Sequence, residues 1–164
     1  MKTKSQLFNK VSKILLDQGF KIANVDENRP WGGFFVIDES QAQKFSNQYF
    51  QGIDTNNLKI AGKLSPKILL VAPETRLSWQ YHYRRAEIWT VVQGPIAVMK
   101  SEDDSETIPK NYKNGEVIKL KQGERHRLIG LDDWGIVAEI WQHTNLDEPS
   151  DENDIIRVQD DFGR

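Results

Sequence analysis

From residue 67 onward the chain is a succession of short β-rich runs, at 68–72, 77–81, 87–92, 96–100, 116–120, 127–129 and 135–141. Turn chemistry separates them: Pro73-Glu74, Gln93-Gly94-Pro95, a Ser-Glu-Asp-Asp-Ser loop at 101–105, Asn114-Gly115, Gln122-Gly123-Glu124 and Asp132-Asp133-Trp134-Gly135. Many short strands at this spacing bury their inner faces by packing as a sandwich or closing as a barrel. The first part of the chain reads differently. Residues 5–18 carry Leu7, Val11, Ile14 and Leu15 at helical spacing, with Gly19 as the expected C-terminal stop. A second helix is expected over 39–50, where Ala42, Phe45 and Tyr49 recur three or four apart. Between them, 29–37 reads as a turn feeding a strand. The division expected is an N-terminal helical and strand extension over 1–60 and an all-β core over 61–164, together one domain.

Composition removes alternatives. At 164 residues the chain is long enough to bury a core without staples, and it has no cysteine. That excludes a disulfide framework and any thiolate metal or redox site. A metal would be held by nitrogen and oxygen donors, which widens the choice beyond zinc. The net charge of −2, with acids and bases interspersed, argues against nucleic acid as a partner. The apolar run at 68–72 is too short to span a bilayer, and Asp17 interrupts the apolar run at 14–16. No membrane association is expected, and a soluble cytoplasmic protein is the default.

The chemistry-bearing residues fall in two stretches, Gln80-Tyr-His82-Tyr-Arg-Arg-Ala-Glu87 and Gly123-Glu-Arg-His126. Gln80 and His82 are two apart, so on a strand both leave the same face of the sheet. Together Gln80, His82, Glu87 and His126 offer a carboxamide oxygen, two imidazoles and a carboxylate. Such a set suits one divalent metal with positions left open. Each alone has an ordinary reading as a surface or hydrogen-bonding residue; their spacing in two motifs favours ligation. Trp31, Trp79, Trp89, Trp134 and Trp141 are read as barrel core rather than sugar-stacking platforms. The acidic stretch at 147–154 lacks calcium-loop spacing and reads as a solvated loop.

These two stretches resemble the two motifs of the cupin fold, a double-stranded β-helix or jelly-roll barrel. Glu87 precedes Gly94 at the usual interval, four residues separate His82 from Glu87, and Gly115, Gly123 and His126 keep the second motif's spacing. Gln80 stands where most cupins have a first histidine, and Lys121 and Gly130 replace the usual proline and asparagine. The Gln-x-His…Glu…His set is similar to that of phosphomannose isomerases, the isomerase module of the type II mannose-6-phosphate enzymes in particular. Arg29-Pro-Trp-Gly32, Leu77-Ser-Trp-Gln80, Arg85-Ala-Glu87, Trp89 to Gly94, His126-Arg-Leu128, Asp154-Ile-Ile-Arg157 and Asp161-Phe-Gly-Arg164 fall in that branch's order. Tyr83 and Arg84 depart from its His-His-His run and bear on the substrate rather than the metal.

The resemblance implies a metal-dependent aldose–ketose isomerase of sugar phosphates, with mannose 6-phosphate and fructose 6-phosphate as the first pair and another hexose or heptose phosphate next. It implies one divalent ion, zinc first, with manganese, iron, cobalt or nickel as alternatives, and Glu139 and Arg157 as acid/base groups. Lys67, Arg76, Arg84 and Arg85 are candidates for the substrate's phosphate, arginine bidentately and lysine as a point charge. Alternatives are a non-catalytic cupin that binds a sugar or nucleotide sugar, and a free-sugar isomerase, which Gln80 disfavours. A metal-free nucleotide-sugar epimerase would not need four convergent donors. A homodimer through covered edge strands is a further expectation.

Overall fold

The computed structural model describes residues 1–60 and 62–164. Helix α1 (Lys4–Asp17) opens on a capping box: Gln6 N donates to Thr3 Oγ1 and Thr3 N donates to Gln6 Oε1, satisfying two otherwise free backbone donors. Leu7, Phe8, Val11 and Leu15 form its buried stripe, and Ile14 points outward. Gly19, at φ +84°, ends it as expected, with Gly19 N and Phe20 N closing back on Leu16 and Leu15 carbonyls. Strands β1 (Ile22–Arg29) and β2 (Gly32–Ile37) follow as an antiparallel pair. A 3-10 turn over Glu39–Gln41 then leads into α2 (Ala42–Tyr49).

The remaining strands are β3 (Lys67–Val71), β4 (Trp79–Tyr81), β5 (Arg85–Gln93), β6 (Ile96–Ser101), β7 (Lys110–Tyr112), β8 (Val117–Leu120), β9 (Arg125–Gly130), β10 (Gly135–His143) and β11 (Ile156–Gln159). They form two antiparallel sheets, β1-β2-β3-β10-β5-β8 and β11-β4-β9-β6-β7. This is the all-β cupin jelly roll with a short helical N-terminus. The β1–β2 hairpin extends the larger sheet. No described helix is long and apolar enough to cross a membrane.

Strand composition follows from what each face meets. Leu69 and Val71 of β3 and Val137 of β10 point between the sheets, packing with Trp89, Val91, Ile96, Val98 and Leu128. Their neighbours Ile68, Leu70, Ile136, Ala138 and Ile140 point the other way, under Leu7, Phe8, Leu15 and Phe45 of the helices. Both faces of β3 and β10 are covered, so they read as nearly continuous apolar runs. On strand β8, Val117 and Lys119 are exposed and alternate with the buried Ile118 and Leu120. The inner faces change character along their length. On β5 the inward series is Glu87, Trp89, Val91; on β10 it is Trp141, Glu139, Val137. One end of the barrel is therefore polar and the other a dry core.

Candidate metal centre

At that polar end three side chains converge. His82 Nε2 lies 3.3 Å from Glu87 Oε1, and His126 Nε2 lies 3.3 Å from Glu87 Oε2. The three donor atoms lie within 4.8 Å of one another and all three residues are buried. Register explains the meeting. Gln80 on β4 pairs directly with His126 on β9, so the two share a face, and β11 adds Arg157 opposite Gln80 on the same row. Glu87 comes from the facing sheet on β5.

The imidazoles are set in one tautomer. His82 Nδ1 donates to the Asp154 carbonyl at 2.7 Å and His126 Nδ1 to the Glu124 carbonyl at 2.9 Å, which leaves both Nε2 lone pairs directed at Glu87. Carbonyl partners of this kind orient histidine ligands in metal sites. Burial pushes His82 down to about 3, so the ring is neutral and able to donate its lone pair. Two atoms decide the fit: Glu87 Oε2 and His126 Nε2 are buried without any hydrogen-bond partner. Leaving such acceptors unpaired in a closed interior costs stability, and a divalent cation among these three residues would satisfy both. The set therefore fits a metal of the nitrogen- and oxygen-loving kind. Gln80 is buried beside it, its Oε1 accepting from Ser78 Oγ at 2.6 Å with a second lone pair free.

Arg85 stands against this centre. Its Nε donates to Glu87 Oε1 at 2.9 Å, its Nη1 to Ser150 Oγ and the Asp151 carbonyl at 2.9 Å, and its plane lies 3.7 Å from the Trp141 ring centre. A longer contact, 3.3 Å, joins Nη2 to His82 Nε2. Burial pushes the Glu87 carboxyl up, but the Arg85 guanidinium against it outweighs that and holds Glu87 well below the usual carboxylate range.

One step deeper is a second layer. Glu139 pairs with Lys67 of β3 on one side and Trp89 of β5 on the other. Both its oxygens accept from indoles, Oε2 from Trp89 Nε1 and Oε1 from Trp141 Nε1, each at 2.8 Å. Burial, with the negative Glu87 nearby, raises the Glu139 carboxyl. Lys67 Nζ sits 4.4 Å from the Trp141 ring centre and 4.8 Å from that of Phe34, and pairs with Glu152. Burial lowers its amine to about 8.

Of the residues expected from sequence, Gln80, His82, Glu87, His126, Lys67, Arg85 and Glu139 gather in these two layers. Arg157 lies on the Gln80 row with its side chain largely exposed. Arg84 turns toward Asp151 at 3.7 Å. Arg76 is not brought to the cluster: Asp161 holds its guanidinium by two bonds of 2.7 and 3.0 Å. Tyr83 points to the outer side and packs edge-on against Tyr81.

The expectation of a solvated loop at 147–154 needs correction. Ser150 and Asp154 are buried, and the Asp154 carboxylate accepts from Tyr83 N, Arg84 N and Ser150 Oγ. Ser150 N in turn donates to His143 Nδ1. The segment thus straps the first motif from below. Sequence reasoning passed over Ser150 and His143; the only available signal was Asp154 opening the Asp-Ile-Ile-Arg stretch. The tryptophans are all buried as expected, but two of them also serve as hydrogen-bond donors to Glu139.

A family model described as mannose-6-phosphate isomerase C-terminal matches residues 48–160. Among curated proteins none matches significantly. Similar solved structures include the capsular polysaccharide assembling protein CapF from Staphylococcus aureus, with a TM-score of 0.56 at 16% identity. The chain is covered to 85% there and spans 34% of CapF. Vicilin from hazelnut (Corylus avellana) matches with a TM-score of 0.54 at 17% identity, over 85% of the chain and 34% of vicilin. KdgF from Halomonas sp. matches with 0.51 at 11% identity, over 76% of the chain and 90% of KdgF. At these identities the likeness is one of fold, and the fold is the cupin.

Proposed function

The chain belongs to the mannose-6-phosphate isomerase C-terminal family, and we propose that it is a divalent-metal-dependent aldose–ketose isomerase of a sugar phosphate. Mannose 6-phosphate and fructose 6-phosphate are the first pair, a related hexose or heptose phosphate the next. The observation that carries this reading is the buried His82–Glu87–His126 set with its two unpaired acceptor atoms.

Gln80, His82, Glu87 and His126 would hold the ion, zinc first and manganese next. A bound divalent cation supplies Lewis-acid polarisation of a carbonyl and its neighbouring hydroxyl. The protein's own groups do the rest. Aldose–ketose exchange moves a proton between adjacent sugar carbons, and Glu139 is the group for it: a carboxyl that burial raises above its ordinary value, held in one orientation by two indole N–H donors. Arg157, on the Gln80 row, steadies the charge that develops on the substrate oxygens. Arg85 fixes Glu87 and closes the rim against water through Ser150 and Trp141. Charge balance favours an anionic substrate. Lys67 and Arg85 already offset Glu87 and Glu139, so a divalent ion leaves positive charge in a buried site that a phosphoryl group would neutralise.

The test is a coupled assay of the purified, zinc- or manganese-loaded protein with mannose 6-phosphate, beside Gln80→Ala and His126→Ala. Turnover that disappears on chelation and in both variants supports the reading. A protein that binds metal stoichiometrically and turns over no phosphosugar would instead be a sugar-binding cupin.

A further inference from the structure

Lys67 is the buried lysine among the described residues, and its surroundings are incomplete in an informative way. Its ammonium lies over the rings of Phe34 and Trp141, its side chain is 6% exposed, and its one anionic partner within salt-bridge distance among the described residues is Glu152. Glu152 is a poor permanent partner: its side chain is 54% exposed, at the tip of the Ser150–Asp154 strap. The strap itself does not depend on that contact. Ser150 and Asp154 anchor its two ends inside the protein, and Asp151 Oδ1 accepts from Asn153 N and Asp154 N in a local turn. The carboxylate of Glu152 can therefore leave Lys67 by side-chain rotation alone.

The contact lies in a groove of about 330 Å³ whose wall includes Ser65, Lys67, Trp141, Ser150 and Glu152. The other acids of the groove are occupied. Asp38 accepts from Ser40, Glu39 from the Leu64 and Ser65 amides, and Asp151 faces Arg84. Glu152 is the acid there with no second role. Trp141 stands between the groove and the centre, its ring centre 4.4 Å from Lys67 Nζ and 3.7 Å from the Arg85 guanidinium carbon.

We infer that this groove seats the ligand's phosphoryl group beside Lys67 and that Glu152 is a built-in stand-in for it, surrendered by Lys67 when the anion binds. The inference rests on the sugar-phosphate reading above for the identity of the anion, not for the existence of the site. Glu152 lowers affinity for every anionic ligand by competing for Lys67, and it spares the empty site a buried, unpaired ammonium.

Inorganic phosphate, titrated calorimetrically into the full chain, tests this without turnover. Glu152→Gln, on an exposed side chain, should tighten phosphate binding about fivefold, the fold-change equivalent to losing a modest competing ion pair. Lys67→Met, which removes the ammonium and keeps an unbranched side chain, should weaken it at least tenfold and remove the gain from Glu152→Gln in the double variant. Phosphate affinity unchanged by Glu152→Gln, or undiminished by Lys67→Met, overturns the proposal. Acetate titrated in parallel should bind more weakly than phosphate; equal or tighter binding would overturn the phosphoryl assignment. The same samples, assayed with mannose 6-phosphate, separate the two claims. Phosphate responses as expected without turnover defeat the isomerase and leave the groove. Turnover whose KM ignores Glu152→Gln defeats the groove and leaves the isomerase.

Discussion

Glu87 and Glu139 face the same barrel interior from adjoining strands, and their surroundings drive them apart. Glu87, at the rim, meets two imidazoles and a guanidinium, is held ionised, and keeps one oxygen unpaired. Glu139, one layer down, has both oxygens filled by neutral indole donors and its carboxyl raised by burial. On the reading proposed above, the same side chain serves as a ligand in one place and a proton carrier in the other. What separates them is a single step along the strand: Glu87 pairs with Trp141, and Trp89 pairs with Glu139. Carboxyls pushed apart in this way are how one site can hold a cation and move a proton at the same pH.

The contrast can be broken by exchanging charge for amide at either position. Glu87→Gln should abolish turnover and lower metal affinity by about a hundredfold or more, read by competition with a chromogenic chelator. Glu139→Gln should leave one metal per chain in place and lower kcat by at least about a hundredfold. Loss of metal in Glu139→Gln, or retention in Glu87→Gln, would merge the two roles. The strap supplies a third variant. Asp154→Asn weakens the caps on Tyr83 and Arg84, and should cost about 2 kcal/mol of stability together with about a tenfold loss of metal affinity. Equal metal affinity in this variant would remove the strap from the account of the centre.

A smaller effect sharpens the comparison from the Glu139 side. Trp141→Phe deletes one donor to the carboxylate form, so the Glu139 carboxyl should rise further and the acidic limb of the kcat profile should move to higher pH. A limb that does not move would mean that Glu139 is not the titrating group.

How far the sequence spoke is clear from particular residues. The runs at 68–72, 87–92 and 135–141 were legible because helices on one side and a barrel interior on the other leave them apolar on both faces. Gln80 and His82 were legible as a same-face pair because they are two apart, and Glu87 and His126 through the resemblance to the two cupin motifs. Strands β1, β7 and β11 were not: β1 and β7 are largely exposed with few apolar residues to show alternation, and the alternating Ile156-Arg157-Val158-Gln159 of β11 is only four residues long and exposed on both faces. Nor was the bond from Trp89 to Glu139, since it depends on cross-strand register. The strap was hidden by composition, because Ser150 and Asp154 are buried within a stretch whose remaining acids face water.

The smallest expected effect is on acid stability. Burial lowers His143 from its usual 6.5 to about 4. The folded chain therefore binds fewer protons there than the unfolded chain. The stability this residue contributes is present above pH 6.5 and is lost as pH falls toward 4. The melting temperature should decline through that window, and less steeply in His143→Gln. An identical decline would show that His143 is not responsible.

Calorimetric titration of chelator-stripped protein with zinc and with manganese, beside His126→Ala, tests the centre most directly. One ion per chain, lost in the variant, is the result predicted. No binding by the parent chain, or binding that survives loss of His126, would contradict the metal centre and the chemistry built on it.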